Sequence, residues 1–266
     1  FSLPLKNQVF VPTKDYFSGL FGVFADSLPD NWGRLLLDRL IRAHQQNPDE
    51  LTILDRLAIV GSSGMGALTY YPEKSFDEET GKLDLDELAE ECQKILNTEY
   101  SDKLDELYHL GGTSGGARPK IMTTIHGEEW IIKFPAHVDG KDTGKMEYDY
   151  SCCAKQCQIA MSETKLFPSD RCKGYFGTKR FDRRPGGKRI HMLTAAALLE
   201  LDFEQPSLDY HSLMKLTKIL TRDNEKDVEN MFRRMCFNVF AHNRDDHSKN
   251  FTYLYNETED RWHLSP

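Results

Sequence analysis

The 266-residue sequence has no cysteine pair at CxxC spacing, no run of about 18 apolar residues, no basic excess and no internal repeat. Each absence removes a class of protein. Cys92, Cys152, Cys153, Cys157, Cys172 and Cys236 lack both the mutual spacing and the nearby histidines of a zinc site, so the expectation is buried, reduced thiols acting as small apolar groups. With no apolar span and no basic-apolar-small leader, neither a membrane anchor nor a secretory signal is read, and a cytoplasmic protein without a membrane partner is expected. Lys and Arg number 34 against 42 Asp and Glu, a net charge of -8, which is the wrong sign for gripping a phosphate backbone; contact with nucleic acid is expected only through a partner. The chain begins without a Met and stops at HLSP inside an expected strand, so both ends read as cut.

What is present can fill a core: 39% of the residues are hydrophobic. In LPDNWGRLLLDRLIRA, residues 28 to 43, helical spacing places Leu36, Leu40 and Ala43 on one face with Leu37 and Ile41 beside them, after a start marked by Pro29 and Asp30. A second amphipathic helix is expected over 84 to 97, with Leu85, Leu88, Cys92, Ile95 and Leu96 inward and Asp86, Glu87, Glu90 and Glu91 outward.

Two glycine clusters follow different contexts. GSSGMGAL, 61 to 68, lacks the Lys-Ser/Thr of a Walker loop and leads into an expected strand at Ala67 to Tyr71, so tight turns are expected there. GGTSGGARPK, 111 to 120, feeds IMTTI, a turn at His126 and Gly127, and WIIKF, together a β-hairpin. Alternation sends Trp130, Ile132 and Phe134 to one face and Ile131 and Lys133 to the other. Lys133 reads either as a lysine snorkelling to water or as the strand lysine that follows a glycine loop in protein kinases. The next helix, about 145 to 158, spaces Met146, Tyr150, Cys153 and Cys157 for burial and carries Glu147 near its start. That glutamate fits the kinase residue that orients the strand lysine and equally a charge favoured by the helix dipole. YFGTKRFDR, 175 to 183, reads as a strand running into a polar turn where a kinase has its hinge.

Residues 228 to 240 carry a stripe of Val228, Met231, Phe232, Met235, Cys236, Val239 and Phe240 that predicts a buried helix. The polar cluster AHNRDDHSKN follows, and then the period-2 strand FTYLY. Asp245 and Asn250 stand at D-x-x-x-x-N spacing after Arg244, as in the kinase catalytic loop except that Asn243 replaces its histidine. Phosphoryl transfer needs a carboxylate to orient the acceptor hydroxyl and an amide oxygen to reach the metal, while His247 and Lys249 would steady the loop or the phosphate. Taken alone, the segment is also an Asx-rich turn.

LFGVFADSLPDNWGRLLLDRL, GSSGMGAL, GGTSGGARPK, IIKFP, KRFDR and AHNRDDHSKN together resemble the HipA family of serine/threonine kinase toxins. The resemblance implies an α+β, two-lobed protein-kinase-like fold with an N-terminal subdomain over 1–100, a nucleotide lobe with glycine-rich loop over 101–183 and the start of a truncated helical lobe over 184–266. It implies use of ATP and Mg²⁺, with Asp245, His247 and Asn250 catalytic, Asn250 a metal ligand, and Lys133, Lys120, Gly115, Gly116, Lys179 and Phe181 on the nucleotide. Thr113 or Ser114 falls at the family's autophosphorylation site. The family pattern continues into a second metal-binding aspartate that does not follow here. Implied partners are a HipB-like helix-turn-helix antitoxin, operator DNA through that antitoxin alone, and a protein substrate of the aminoacyl-tRNA synthetase kind. Two other functions use the same parts: a kinase-shaped corepressor that transfers no phosphate, and a small-molecule kinase.

Overall fold

The computed structural model describes residues 6–74, 84–205 and 207–266. In chain order the helices are α1 (Gly22–Ala25), α2 (Asn31–Ala43), α3 (Ile53–Val60), α4 (Leu85–Leu96), α5 (Leu104–Gly111), α6 (Thr143–Gln156), α7 (Ala195–Leu199), α8 (Tyr210–Leu220) and α9 (Glu225–Phe240). The strands are β1 (Lys120–Ile125), β2 (Glu128–Lys133), β3 (Thr164–Phe167), β4 (Tyr175–Lys179), β5 (Met192–Thr194), β6 (Thr252–Asn256) and β7 (Arg261–Leu264). The chain divides into two units, Leu28–Cys153 with Ser162–Arg180, and Phe1–Ser27 with Ala154–Met161 and Phe181–Pro266.

The unit containing residues 28–153 is built on the antiparallel sheet β1-β2-β4-β3. The β1–β2 turn places His126 and Gly127 at φ of 53° and 80°, the paired positive values that match strand twist in a two-residue hairpin. That turn fixes Lys120 opposite Lys133 and Ile121 opposite Ile132. The expected alternation holds: Trp130, Ile132 and Phe134 are buried, with Ile131 and Lys133 half-exposed. They share a core with Trp32, Leu36 and Leu40 of α2, Leu88, Cys92 and Ile95 of α4, and Leu107 of α5.

Several expectations are corrected in this unit. Ala43, the last residue of α2, is exposed. Glu91 is buried and pairs with Lys94 at 2.6 Å, and Asp86 is half-buried because it accepts from Ser169 Oγ (2.6 Å), the Tyr175 hydroxyl (2.7 Å) and Asp170 N (2.9 Å). Residues 61–66 are turns and bends as expected, but Ala67 to Tyr71 forms no strand: the Tyr70 amide returns to Gly61 O at 3.1 Å.

The inward face of α6 is also reversed. Met146, Tyr150, Cys153 and Cys157 are exposed, and Ser151 and Ala154 are buried instead. Close approach explains it within this unit: a Cβ on Gly144 would collide with Gly174 O, and Ser151 Oγ lies 3.0 Å from Thr164 Oγ1, so small and polar residues face the sheet. All six cysteines are free thiols, but only Cys92 is buried.

In the second unit, the sheet β5-β6-β7 packs with α7, α8 and α9 around Leu193, Leu213, Met231, Phe251, Tyr253, Trp262 and Leu264. FTYLY forms the expected strand and pairs with RWHL in a hairpin, β6 against β7 with Tyr253 opposite Leu264. Asp26 accepts from both the amide (2.8 Å) and the hydroxyl (2.7 Å) of Thr194, fixing the segment after α1 to the start of α7. α9 starts at Asn224, whose side chain accepts from the amides of Lys226 and Asp227. Its stripe is not fully buried, contrary to expectation. Met231 is enclosed, while Phe232, Val239 and Phe240 are exposed, because α8 and β7, which pack against α9, engage only part of its circumference.

Candidate functional site

Lys133 ends β2, and the alternation that buries Ile132 and Phe134 turns its side chain to the other face. There it is ion-paired with Glu147 of α6, with the Phe176 ring centroid 5.4 Å from Nζ. Both side chains keep about a third of their surface, 32% and 31%, so the pair is accessible. Gly144, one turn earlier, lets α6 approach β4 closely enough for the contact.

The glycine loop is pinned at several points. Asp30, at the start of α2, accepts from the Gly116 amide and supplies no capping bond to its own helix, and Trp32 N donates to Gly116 O at 3.1 Å. Lys120 Nζ donates to Gly115 O at 2.5 Å. Burial, followed by the nearby Lys133 charge, pulls the Lys120 ammonium down to about 8. Thr113 and Ser114 are buried; Thr113 Oγ1 donates to Ser63 O at 3.2 Å and Ser114 Oγ to Gly111 O at 2.6 Å. Presenting either hydroxyl to a phosphoryl donor therefore requires the loop to open. Gly116 sits at φ 85°, a value glycine adopts without strain.

On β4, Lys179 is paired with Glu128, which raises its pKa. Phe181 is half-buried, followed by the fully buried Asp182, which takes Arg183 Nη1 at 2.6 Å.

In the other unit, the loop after α9 holds Asp245 with 81% of its side chain exposed. Its amide donates to Asn243 Oδ1 at 3.1 Å and its carbonyl accepts from Asn250 Nδ2 at 2.7 Å, so the main chain is held on both sides. His247 Nε2 stands 3.3 Å from Asp245 Oδ1. His247 Nδ1 is buried with no hydrogen-bond partner among the described residues. Lys249 Nζ lies 4.3 Å from the Phe203 centroid, over the ring that also neighbours His247. A cavity of about 310 Å³ adjoins the loop, bounded by Phe203, Tyr210, Leu213, Arg244, Asp246 and His247 among others.

With Asn250 Nδ2 turned to the Asp245 carbonyl, Oδ1 is the atom left for a cation. No group of three or more His, Cys, Asp or Glu suited to a metal occurs among the described residues. Asn250 Oδ1 is a single neutral donor, so a Mg²⁺ held there would need a carboxylate, water and substrate phosphates to complete its shell. The accessible Lys133–Glu147 pair fits a nucleotide phosphate.

Sequence reading missed Tyr210 and Asn238. The Tyr210 hydroxyl donates to Asp246 Oδ2 (2.6 Å) and accepts from Asn238 Nδ2 (2.9 Å), and Asn238 Oδ1 accepts from Asn243 Nδ2 (3.1 Å). The available signal was Asn238 itself, an amide set among apolar residues in FNVF.

The chain is therefore an α+β protein that carries a strand lysine paired with a helix glutamate in one unit and a D-x-x-x-x-N loop in the other. The family model described as HipA-like C-terminal domain matches residues 112–266, and that described as HipA N-terminal domain matches residues 1–71; the chain belongs to the HipA family. It is similar in fold to HipA of Shewanella oneidensis MR-1, solved as "Toxin Antitoxin System HipA, HipB and its operator DNA complex", with TM-score 0.66 and 18% identity. That match covers 94% of this chain and 63% of the solved one, so the chain spans less than two thirds of its relative's length. No match was found among curated proteins. No helix among the described residues is long and apolar enough to cross a membrane.

Proposed function

We propose that the chain is the core of an ATP- and Mg²⁺-dependent protein serine/threonine kinase of toxin–antitoxin type. The observation that carries the reading is the Lys133–Glu147 ion pair, because an accessible strand lysine oriented by a helix glutamate is the arrangement by which kinases hold the α- and β-phosphates. The loop adds the complementary chemistry: Asp245 to orient the acceptor hydroxyl and Asn250 to offer an amide oxygen to Mg²⁺, with His247 Nε2 3.3 Å from the Asp245 carboxylate. Bound Mg²⁺ would neutralise charge on the transferring phosphoryl group. Lys120 and the backbone of Gly115 and Gly116 would contact the nucleotide, as would the hinge residues Lys179 and Phe181. Modification of Thr113 or Ser114 follows opening of that loop.

The partners in this reading are a HipB-like antitoxin, operator DNA through it, and a cytoplasmic protein acceptor of the aminoacyl-tRNA synthetase kind. Support for the antitoxin comes from the fold shared with a HipA solved with HipB and operator DNA. The test incubates the full-length parent protein with labelled ATP, Mg²⁺ and a cell lysate. Label on a protein acceptor, lost in Asp245→Asn, is the expected result. Label only on a small molecule would replace the acceptor class, and no label despite nucleotide binding would leave the corepressor function.

A further inference from the structure

Two aspartates stand side by side in the loop, and the fold treats them differently. Asp246 is half-buried and its Oδ2 accepts the Tyr210 hydroxyl at 2.6 Å, whereas Asp245 is exposed and the bonds to its main chain leave the carboxylate to His247. We infer that Tyr210 of α8 and Asn238 of α9 are positioning residues that select Asp245 as the available carboxylate and hold it at a fixed place. The inference rests on the kinase reading for its catalytic consequence, but not for its structural one.

The hydrogen bonds form a directed chain. Tyr210 has a single O–H, and Asp246 takes it; its oxygen then accepts from Asn238 Nδ2 at 2.9 Å. That use of the amide nitrogen leaves Asn238 Oδ1 to accept from Asn243 Nδ2 at 3.1 Å, which in turn leaves Asn243 Oδ1 for the Asp245 amide at 3.1 Å. Each amide has one orientation compatible with both neighbours, so its flip is determined by the network. The chain is anchored at rigid ends. Asp209 caps α8 immediately before Tyr210 by accepting from Ser212 N at 2.6 Å, and Tyr210 meets the buried Phe251 edge to face at 6.1 Å. Asn243 N also donates to Asn238 O at 2.9 Å, closing the C-terminal turn of α9 beneath the loop. Asn243, at the place of the kinase loop histidine, thus carries the link between the helices and the aspartate.

A carboxylate that orients an attacking hydroxyl loses efficiency steeply when displaced; about 1 Å can cost on the order of 10²-fold. Tyr210→Phe removes one oxygen and retains the ring contact, and Asn238→Ala cuts the chain one link later. In the full-length parent protein, each is expected to lower kcat for phosphotransfer by roughly tenfold or more with the KM for ATP unchanged, and Asn243→Ala combined with Asn238→Ala should add little to either alone. Hydrogen exchange at residues 243–250, measured in the same proteins without nucleotide, should accelerate in all three, with exchange in β6 and β7 unchanged. Loss of transfer without faster loop exchange would overturn the positioning role, as would parental kcat and exchange in both single variants. Should the parent transfer no phosphate, the exchange arm still decides whether Tyr210 and Asn238 hold the loop, and only the kinase reading fails.

Discussion

Lys133 on β2 and Glu147 on α6 meet as an ion pair although they stand 14 positions apart, with the whole turn that leads out of the sheet between them. The partners are accessible, so the pair adds little to stability. In the kinase reading its value lies in aiming an ammonium.

Removing the lysine charge is therefore expected to cost function and not folding. Lys133→Met should lower phosphotransfer by about 10²-fold or more, and Glu147→Gln should lower it less, because the lysine charge remains but is no longer aimed. Phosphotransfer kinetics and nucleotide titration, with circular dichroism to confirm the fold, check both. Unchanged nucleotide affinity in Lys133→Met would remove the lysine from the site.

Asp245→Asn keeps the shape of the loop, since the bonds from Asn243 and Asn250 go to the main chain of residue 245. Transfer should fall by ~10²- to 10⁴-fold while ATP binding persists. Single-turnover kinetics separate the two quantities. Asp246→Asn should be milder, because an amide oxygen can still accept from Tyr210.

Gly144→Ala tests how α6 is placed. The added methyl would collide with Gly174 O, a backbone atom with little room to give, so α6 must shift. Destabilisation of about 1–3 kcal/mol in chemical denaturation is expected, with a loss of transfer as Glu147 moves from Lys133. A variant as stable and active as the parent would show that the sheet yields instead.

Lys120 predicts a pH dependence. Its ordinary pKa of 10.5 falls to about 8 in the folded chain through burial, so between those values the unfolded chain binds more protons and stability rises with pH. The penalty for burying the ammonium is complete below about 8 and is relieved as pH approaches 10.5. The stability of the parent relative to Lys120→Met should therefore increase across that window, measured by urea unfolding at several pH values. A pH-independent difference would show that Lys120 keeps its ordinary proton affinity.

The polar loop after α9 and the hairpin were readable because their signals are local. D-x-x-x-x-N spacing, the His126–Gly127 turn and the alternation of WIIKF each act within a few residues, and the structure forms the hairpin with Lys133 off the buried face. The burial of α6 and α9 was not readable. Periodicity reports that Met146 and Tyr150, or Phe232 and Val239, share a face; it does not report which face a neighbour approaches, and here Gly144 and Ser151 decide it for α6.

By itself the sequence determined the β1–β2 hairpin, the helices α2, α4, α6 and α9, the strand after the polar loop and the family resemblance, because backbone propensity, turn chemistry and motif spacing are properties of short segments. Only the tertiary structure decided which groups those side chains meet: Glu147 for Lys133, Asp30 for Gly116, and Tyr210 rather than solvent for Asp246. Such pairings join residues up to 86 positions apart, and a hydrogen bond or ion pair forms only where packing brings its two ends within about 3 Å of each other.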